Sequence, residues 1–270
     1  MRVAVTRSKR RVGSDRLTQL LLEIGALPVE APLTFTRPPS DPSRLERCVA
    51  AVRSFDWIVV TSARTVPPFI EALEGAGTTT AAVRKYGVRI CAVGPRTGEA
   101  LSAAGLETDL VPERFNAPGV VDSLLRCGDP RGLRILFPRA EGGRDIIPRL
   151  LTQAGANVEV ASAYRTDAIP GAGIQLLKQV MAGQIDALTF TAGSAARVFA
   201  DAWARGRPSQ VEAEGLRTED LPQDVKVIAL GPATAAALEA GGIPVHRTAY
   251  PHTLEALVAS LQDCCSVSDT

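Results

Sequence analysis

One α/β pattern is written twice in this 270-residue chain, and that duplication restricts the fold more than any other feature. The stretch FDWIVVTSARTVPPFIEAL at 55–73 lines up with IDALTFTAGSAARVFADAW at 185–203. AVGPRTGEALSAAGL at 92–106 lines up with ALGPATAAALEAGGI at 229–243. The opening VAVTRSKRRVGSDRLTQLLLEIGALPVEAPL, from residue 3, answers ILFPRAEGGRDIIPRLLTQAGANVEVASAY, from residue 135, and APGVVDSLL answers HTLEALVASL. Each copy alternates short apolar runs with helical stretches, the mark of βαβ units and mainly parallel sheets. In SDRLTQLLLEIGA, for example, leucines recur at helical spacing and Gly25 stops the helix. The expected architecture is α/β: two similar parallel-sheet domains, flavodoxin- or Rossmann-like, facing each other across a cleft. The repeat leaves open which opening piece completes which block, so two continuous domains and two exchanged ones fit equally well. PVEAPLTF and VEVASAYRT are the expected hinge strands, and a polar loop around 205–224, with Pro208 and Pro222, is expected on the surface.

Hydrophobic residues make up 46% of the chain and charged ones 22%, enough apolar material for real cores in a globular protein. Thirty basic residues against 29 acidic ones leave a net charge of +1, so no bulk attraction to nucleic acid or membrane is expected. MRVAVTRSKRR lacks the apolar region of a signal peptide, and no apolar run approaches the length of a bilayer span. The cysteines (Cys48, Cys91, Cys127, Cys264, Cys265) are odd in number and form no CxxC pair. They fit a reduced cytoplasm, with Cys264 and Cys265 in a frayed tail ending SVSDT.

Open parallel sheets bind ligands outside the carboxyl ends of their strands. Gly94 and Gly231 fall at such ends, and Pro95 and Pro232 suit the first helical position. The amides of Arg96, Thr97, Ala233 and Thr234 are then expected to point outward without helical partners, beside the hydroxyls of Thr97 and Thr234. Helix starts of this kind favour an anion through free N–H groups and the helix dipole. A dinucleotide fold calls for GxGxxG, and a P-loop for GxxxxGK followed by Ser or Thr. Neither turn has them, and GAG at 171–173 follows TDAIP rather than a buried strand, so a nucleotide site is not expected.

Other strand ends repeat the chemistry. Thr61–Ser62, and Thr191 with Ser194, offer hydroxyls before helices, where such residues also serve as N-caps. Arg7 and Arg139 end equivalent strands and Arg144 follows EGG; a planar guanidinium suits carboxylates or phosphates. His246 and His252 stand apart without metal-ligand spacing, and no Ser/His/Asp set or Cys/His pair emerges. The residues therefore describe a site for a polyanion, held without metal or other cofactor. Its binding candidates are Gly94, Thr97, Gly231, Ala233, Thr234, Ser62, Ser194, Arg7, Arg139 and Arg144.

From VAVTR through FDWIVVTSA, AVGPRTGEAL, EGGRD, AYRT and ALGPATAAAL to HTLEALVASL, the pieces resemble the uroporphyrinogen-III synthase family of tetrapyrrole biosynthesis in order and spacing. The resemblance covers nearly the whole chain. It implies exchanged domains, 1–34 with 169–270 and 35–168, joined by two hinge strands. It implies the substrate hydroxymethylbilane, a linear chain of four pyrroles bearing eight carboxylates, and a reaction without a cofactor. Loss of the terminal hydroxyl gives an azafulvene, which attacks the substituted carbon of ring D. The resulting spiro intermediate fragments and recloses with that ring inverted. Tyr164 in AYRT matches the family's tyrosine, which the resemblance places near the departing hydroxyl, and Thr234 matches the family's threonine. A cytoplasmic monomer is implied, with transient contact to hydroxymethylbilane synthase and no nucleic-acid or membrane partner.

Some positions depart from the family pattern. Ala192 stands where serine is frequent, Pro138 and Ala140 where arginine–glycine is common, and Arg64 where small or amide residues are usual. These departures suit a second reading, a non-catalytic tetrapyrrole- or anion-sensing regulatory module of the same fold. The presence of Tyr164 and Thr234 favours catalysis.

Overall fold

The fold starts with a short apolar strand, β1 (Arg2–Val5), and a helix, α1 (Arg16–Glu23), that buries Leu17, Leu20 and Leu21 on one face. Gly25, at φ +72°, ends that helix in the left-handed conformation that a side chain disfavours. This is a computed structural model, and it describes residues 1–7, 16–206 and 221–266, with the backbone alone for Cys265 and Ser266. The start of the helix expected at Ser14–Asp15, and most of the expected 205–224 loop, lie outside the described residues.

The first expected hinge strand is two strands, β2 (Leu27–Glu30) and β3 (Thr34–Arg37). Between them the amides of Ala31 and Leu33 donate to the carbonyls of Val5 and Thr6. The chain continues through α2 (Ser43–Ala50), β4 (Trp57–Val60), a 3₁₀ turn over Ala63–Thr65, α3 (Val66–Gly75), α4 (Thr80–Lys85) and β5 (Arg89–Ala92). Then come α5 (Pro95–Ala103), α6 (Ala117–Arg126), β6 (Arg134–Ala140), α7 (Ile146–Gln153) and β7 (Asn157–Ala168), the last an unbroken strand of 12 residues. The remainder is α8 (Ala172–Met181), β8 (Ala187–Phe190), α9 (Gly193–Arg205), β9 (Lys226–Ala229), α10 (Pro232–Glu239), β10 (Arg247–Thr248) and α11 (Leu254–Ser266).

These strands form two five-stranded sheets, ordered β10-β9-β8-β1-β2 and β3-β7-β6-β4-β5. β1 pairs in parallel with β2 and β8, and β4 in parallel with β5 and β6. The chain divides into two compact units, Met1–Thr36 with Asp167–Thr270, and Arg37–Thr166. Each sheet carries one core on either face. In the discontinuous unit, Phe190, Phe199 and Trp203 lead one core, and Leu17, Leu21 and Leu257 lead the other. In the continuous unit, Phe69, Ile58 and Leu101 lead one, and Trp57, Phe137 and Val120 the other.

Atomic details repeat between the copies. Asp56 precedes β4 and accepts the amide of Arg134 at 2.7 Å, while Asp186 precedes β8 and accepts that of Arg2 at 2.5 Å. Each carboxylate thereby fixes the start of the neighbouring strand, β6 or β1. Asp186 also receives the Arg2 guanidinium at 2.6 Å, and that hydrogen bond lowers its pKa below the ordinary carboxylate value.

Other details diverge. Thr6 and Thr189 are buried and donate to the carbonyls of Thr189 and Ala4, at 2.7 and 2.8 Å. Their counterparts in the other unit are Pro138 and Val59. Proline is tolerated there because the pairing of β6 with β4 ends at Leu136, leaving Pro138 beside β7 alone.

One expectation is corrected at the C-terminus. Cys264 and Cys265 belong to α11 rather than to a frayed tail. Leu254, Leu257, Val258 and Leu261 bury one stripe of that helix, and Cys264 extends it by the next turn against the same core. No described helix is long and apolar enough to cross a membrane.

Candidate active site

Within the Arg37–Thr166 unit, the carboxyl ends of β4, β5 and β6 surround a cavity of about 340 Å³. Thr61, Ser62 and Thr65 follow β4 into it, and Val93 follows β5. Phe137, Arg139 and Ala140 come from β6, Gly143, Arg144, Ile146 and Ile147 from the turn into α7, and Tyr164 from β7. The 3₁₀ turn exists because Ser62 caps it: its Oγ accepts the Arg64 amide at 3.2 Å.

A register shift brings Tyr164 to this cavity. Arg139 pairs with Ser162, but the next residue, Ala140, pairs with Tyr164, so β7 carries one extra residue at Ala163. Side chains of a regular strand alternate between faces, and an extra residue breaks the alternation. Ala161, Ala163 and Tyr164 accordingly all join the same core, although the last two are adjacent in sequence. Tyr164 is 7% exposed, and its own carbonyl accepts the Glu141 amide at 2.7 Å, which ties the bulge to the β6–α7 turn.

The arginines of that turn differ. Arg139 donates to the Gly143 carbonyl at 2.7 Å and pairs with Asp145 at 2.8 Å. Arg144 is exposed and has no hydrogen bond or ion pair among the described residues.

The two glycine–proline corners are built alike. Gly94 and Gly231 are the N-caps of α5 and α10, with φ of −169° and −165°, extended backbone that any residue adopts. A Cβ on Gly94 would meet the Phe115 ring at 3.4 Å, and one on Gly231 the His252 ring at 3.5 Å. The glycines therefore leave room beside an aromatic ring rather than relieve strain. Part of the expected anion site is corrected. The Thr97 and Thr234 amides are not free, because each donates to the carbonyl of its capping glycine, at 3.0 and 2.9 Å. The first turn of each helix tightens in 3₁₀ fashion and consumes that donor. Both threonine side chains are buried. The Ala233 amide keeps no partner among the described residues.

The structure thus gathers Ser62, Arg139, Arg144 and Tyr164 around one cavity, with the Gly94–Thr97 corner adjoining it at Val93. Arg7, Ser194, Gly231, Ala233 and Thr234 lie in the other unit. Ser194 is not a cap: α9 is capped by Ala192, and Ser194 stands inside its first turn. His246 and His252 serve the backbone, His246 accepting the Val227 amide at 3.1 Å and His252 Nδ1 lying 2.8 Å from the Ala249 carbonyl. Among the described residues no cluster of His, Cys, Asp or Glu is placed to hold a metal ion. Nothing in the sequence singles out Thr65 or Asp145. That one hydroxyl is buried without a partner, and that one carboxylate occupies an arginine, are facts of tertiary placement.

Fold and cavity together define a class: a duplicated, parallel α/β protein whose strand ends present hydroxyls, guanidinium groups and a phenol, chemistry suited to an anionic ligand. A family model described as Uroporphyrinogen-III synthase HemD matches residues 15–259. A relative from Methanothermobacter thermautotrophicus is 30% identical over 263 residues, 96% of each chain. The uroporphyrinogen-III synthase of Synechococcus elongatus is 27% identical over 242 residues, covering 88% of this chain and 86% of that one. A crystal structure of a mutant uroporphyrinogen III synthase from Thermus thermophilus has the same fold, with a TM-score of 0.66 at 21% identity over 98% of this chain and 99% of that one. The chain belongs to the uroporphyrinogen-III synthase family.

Proposed function

We propose that this protein converts hydroxymethylbilane to uroporphyrinogen III, removing water and closing the ring with inversion of the last pyrrole, as a cyclising hydro-lyase. The observation that carries this reading is the family match across residues 15–259. The placement of Tyr164 supports it: a phenol at the wall of a cavity that also presents Ser62 and Arg144. In this reading Tyr164 acts by hydrogen-bonding the departing hydroxyl. Catalysis then consists mainly of imposing one conformation on a flexible chain, because an unguided chain closes without inversion. In this reading the domains are 1–34 with 169–270 and 35–168, and candidates from both units, Thr97 and Thr234 included, bind carboxylates of the substrate. The reaction needs no cofactor.

Product analysis with freshly generated hydroxymethylbilane tests this. The expected result is the type III isomer well above background. Well-folded protein that yields only the type I isomer overturns the enzymatic reading in favour of the sensing module.

A further inference from the structure

Arg139 and Arg144 are alike on charge alone, yet the structure gives them opposite tasks. The Arg139 side chain is only 14% exposed, and its two partners, the Gly143 carbonyl and the Asp145 carboxylate, flank Arg144 on either side. Gly142, at φ +68°, lets the turn double back, and a Cβ on Gly143 would come within 3.0 Å of the Ala140 carbonyl oxygen. The guanidinium of Arg139 is thus spent on its own loop, and Arg144 is held at the cavity with its charge unmatched among the described residues. A second cavity of about 430 Å³ behind the same turn is different, since its arginines, Arg44 and Arg139, are paired with Glu159 and Asp145.

An independent observation points to a ligand in the first cavity. Thr65 lies in its wall, is 0% exposed, and its Oγ1 has no hydrogen-bond partner. A buried hydroxyl left unpaired destabilises a fold, so its presence in the wall of the cavity that an unmatched cation also lines marks a place where an incoming acceptor completes both.

We propose that Arg144 and the Thr65 hydroxyl hold one carboxylate of the ligand in this cavity. Arg139 is a positioning residue, bracing the turn from which Arg144 projects. The inference rests on the synthase reading for which carboxylate-bearing molecule binds.

Two readouts test it: equilibrium binding of uroporphyrin III, an octacarboxylate that needs no turnover, and the split between KM and kcat for hydroxymethylbilane. Arg144→Ala is expected to raise both the uroporphyrin Kd and KM by about tenfold or more while kcat stays within about twofold, with part of the loss restored in Arg144→Lys. Thr65→Val deletes only the hydroxyl, and is expected to raise Tm while weakening binding a few-fold, on the order of the loss of one hydrogen bond. Arg139→Met is expected to weaken binding in the native background and to add nothing in an Arg144→Ala background. If Arg139→Met fails to fold, Asp145→Asn loosens the same brace at a side chain that is 72% exposed. Unchanged Kd and KM in Arg144→Ala overturn the subsite, and unchanged binding in Thr65→Val removes its hydroxyl from it. Additive losses from Arg139→Met and Arg144→Ala overturn the brace, because they mean Arg139 touches the ligand itself. Native protein that binds uroporphyrin III through Arg144 but forms no type III product overturns the synthase reading and leaves the subsite standing.

Discussion

Tyr164 and phenylalanine differ by one oxygen, and the packing of this residue against Ala161 and Ala163 needs only the ring. Tyr164→Phe is therefore expected to keep the melting temperature nearly unchanged and to lower kcat by roughly ten- to a hundredfold, the value of a hydrogen bond to a group gaining charge. Unchanged turnover would remove the phenol from the mechanism. Thr97→Ala is expected to cost only a few-fold in KM, because the only polar group it deletes is a hydroxyl and one neutral hydrogen bond is worth about 0.5–1.5 kcal/mol. His246 gives a pH signature instead. Its Nδ1 accepts the Val227 amide, which requires a lone pair there, and burial followed by the nearby charge of Lys226 lowers its pKa from the ordinary 6.5. The unfolded chain takes up the proton first. This contribution to stability is complete above the unfolded value and declines as pH falls from there toward the folded one. Urea unfolding at about pH 7.5 and about pH 5.5 should show the loss, and His246→Asn, which keeps an acceptor, should flatten that part of the slope.

Where helices approach closely, glycine sets the distance. A Cβ on Gly241, just after α10, would lie 2.3 Å from the Cβ of Ala200 in α9. Gly241→Ala is expected to cost about 1–3 kcal/mol by overpacking, a fall of several degrees in Tm. Gly94→Ala is the contrast: its Cβ would meet Phe115, which is 60% exposed, at ordinary contact distance, so calorimetry should find stability nearly unchanged. At this scale the strand-to-helix corners were legible, because Gly–Pro after an apolar run leaves few alternatives. The extra residue at Ala163 was not, since VEVASAYRT reads as plain alternation and the bulge is set by what β6 offers opposite it. Nor was the break between β2 and β3, because PVEAPLTF reads as one extended run while the structure divides it between two sheets.

The two units differ in how they can be separated. Every strand of the sheet β3-β7-β6-β4-β5 falls between Thr34 and Ala168, and both cores of that unit are drawn from residues between Leu45 and Tyr164. A fragment of residues 34–168 is expected to fold alone with a cooperative melt. A fragment of residues 169–270 is expected not to, because Ala4, Leu17, Leu21 and Leu33 complete its cores from the other end of the chain. Circular dichroism of the two fragments decides it, and a folded 169–270 fragment would contradict the account. The sequence by itself determined the α/β class, the duplication and the chemical character of the strand ends, because period, turn residues and side-chain type are local properties. Only the tertiary structure decided that β1 lies between β2 and β8, that Arg139 is occupied while Arg144 is not, and that Thr65 is buried without a partner. Those outcomes depend on which surfaces meet across long stretches of chain, and burial and pairing have no value until they do.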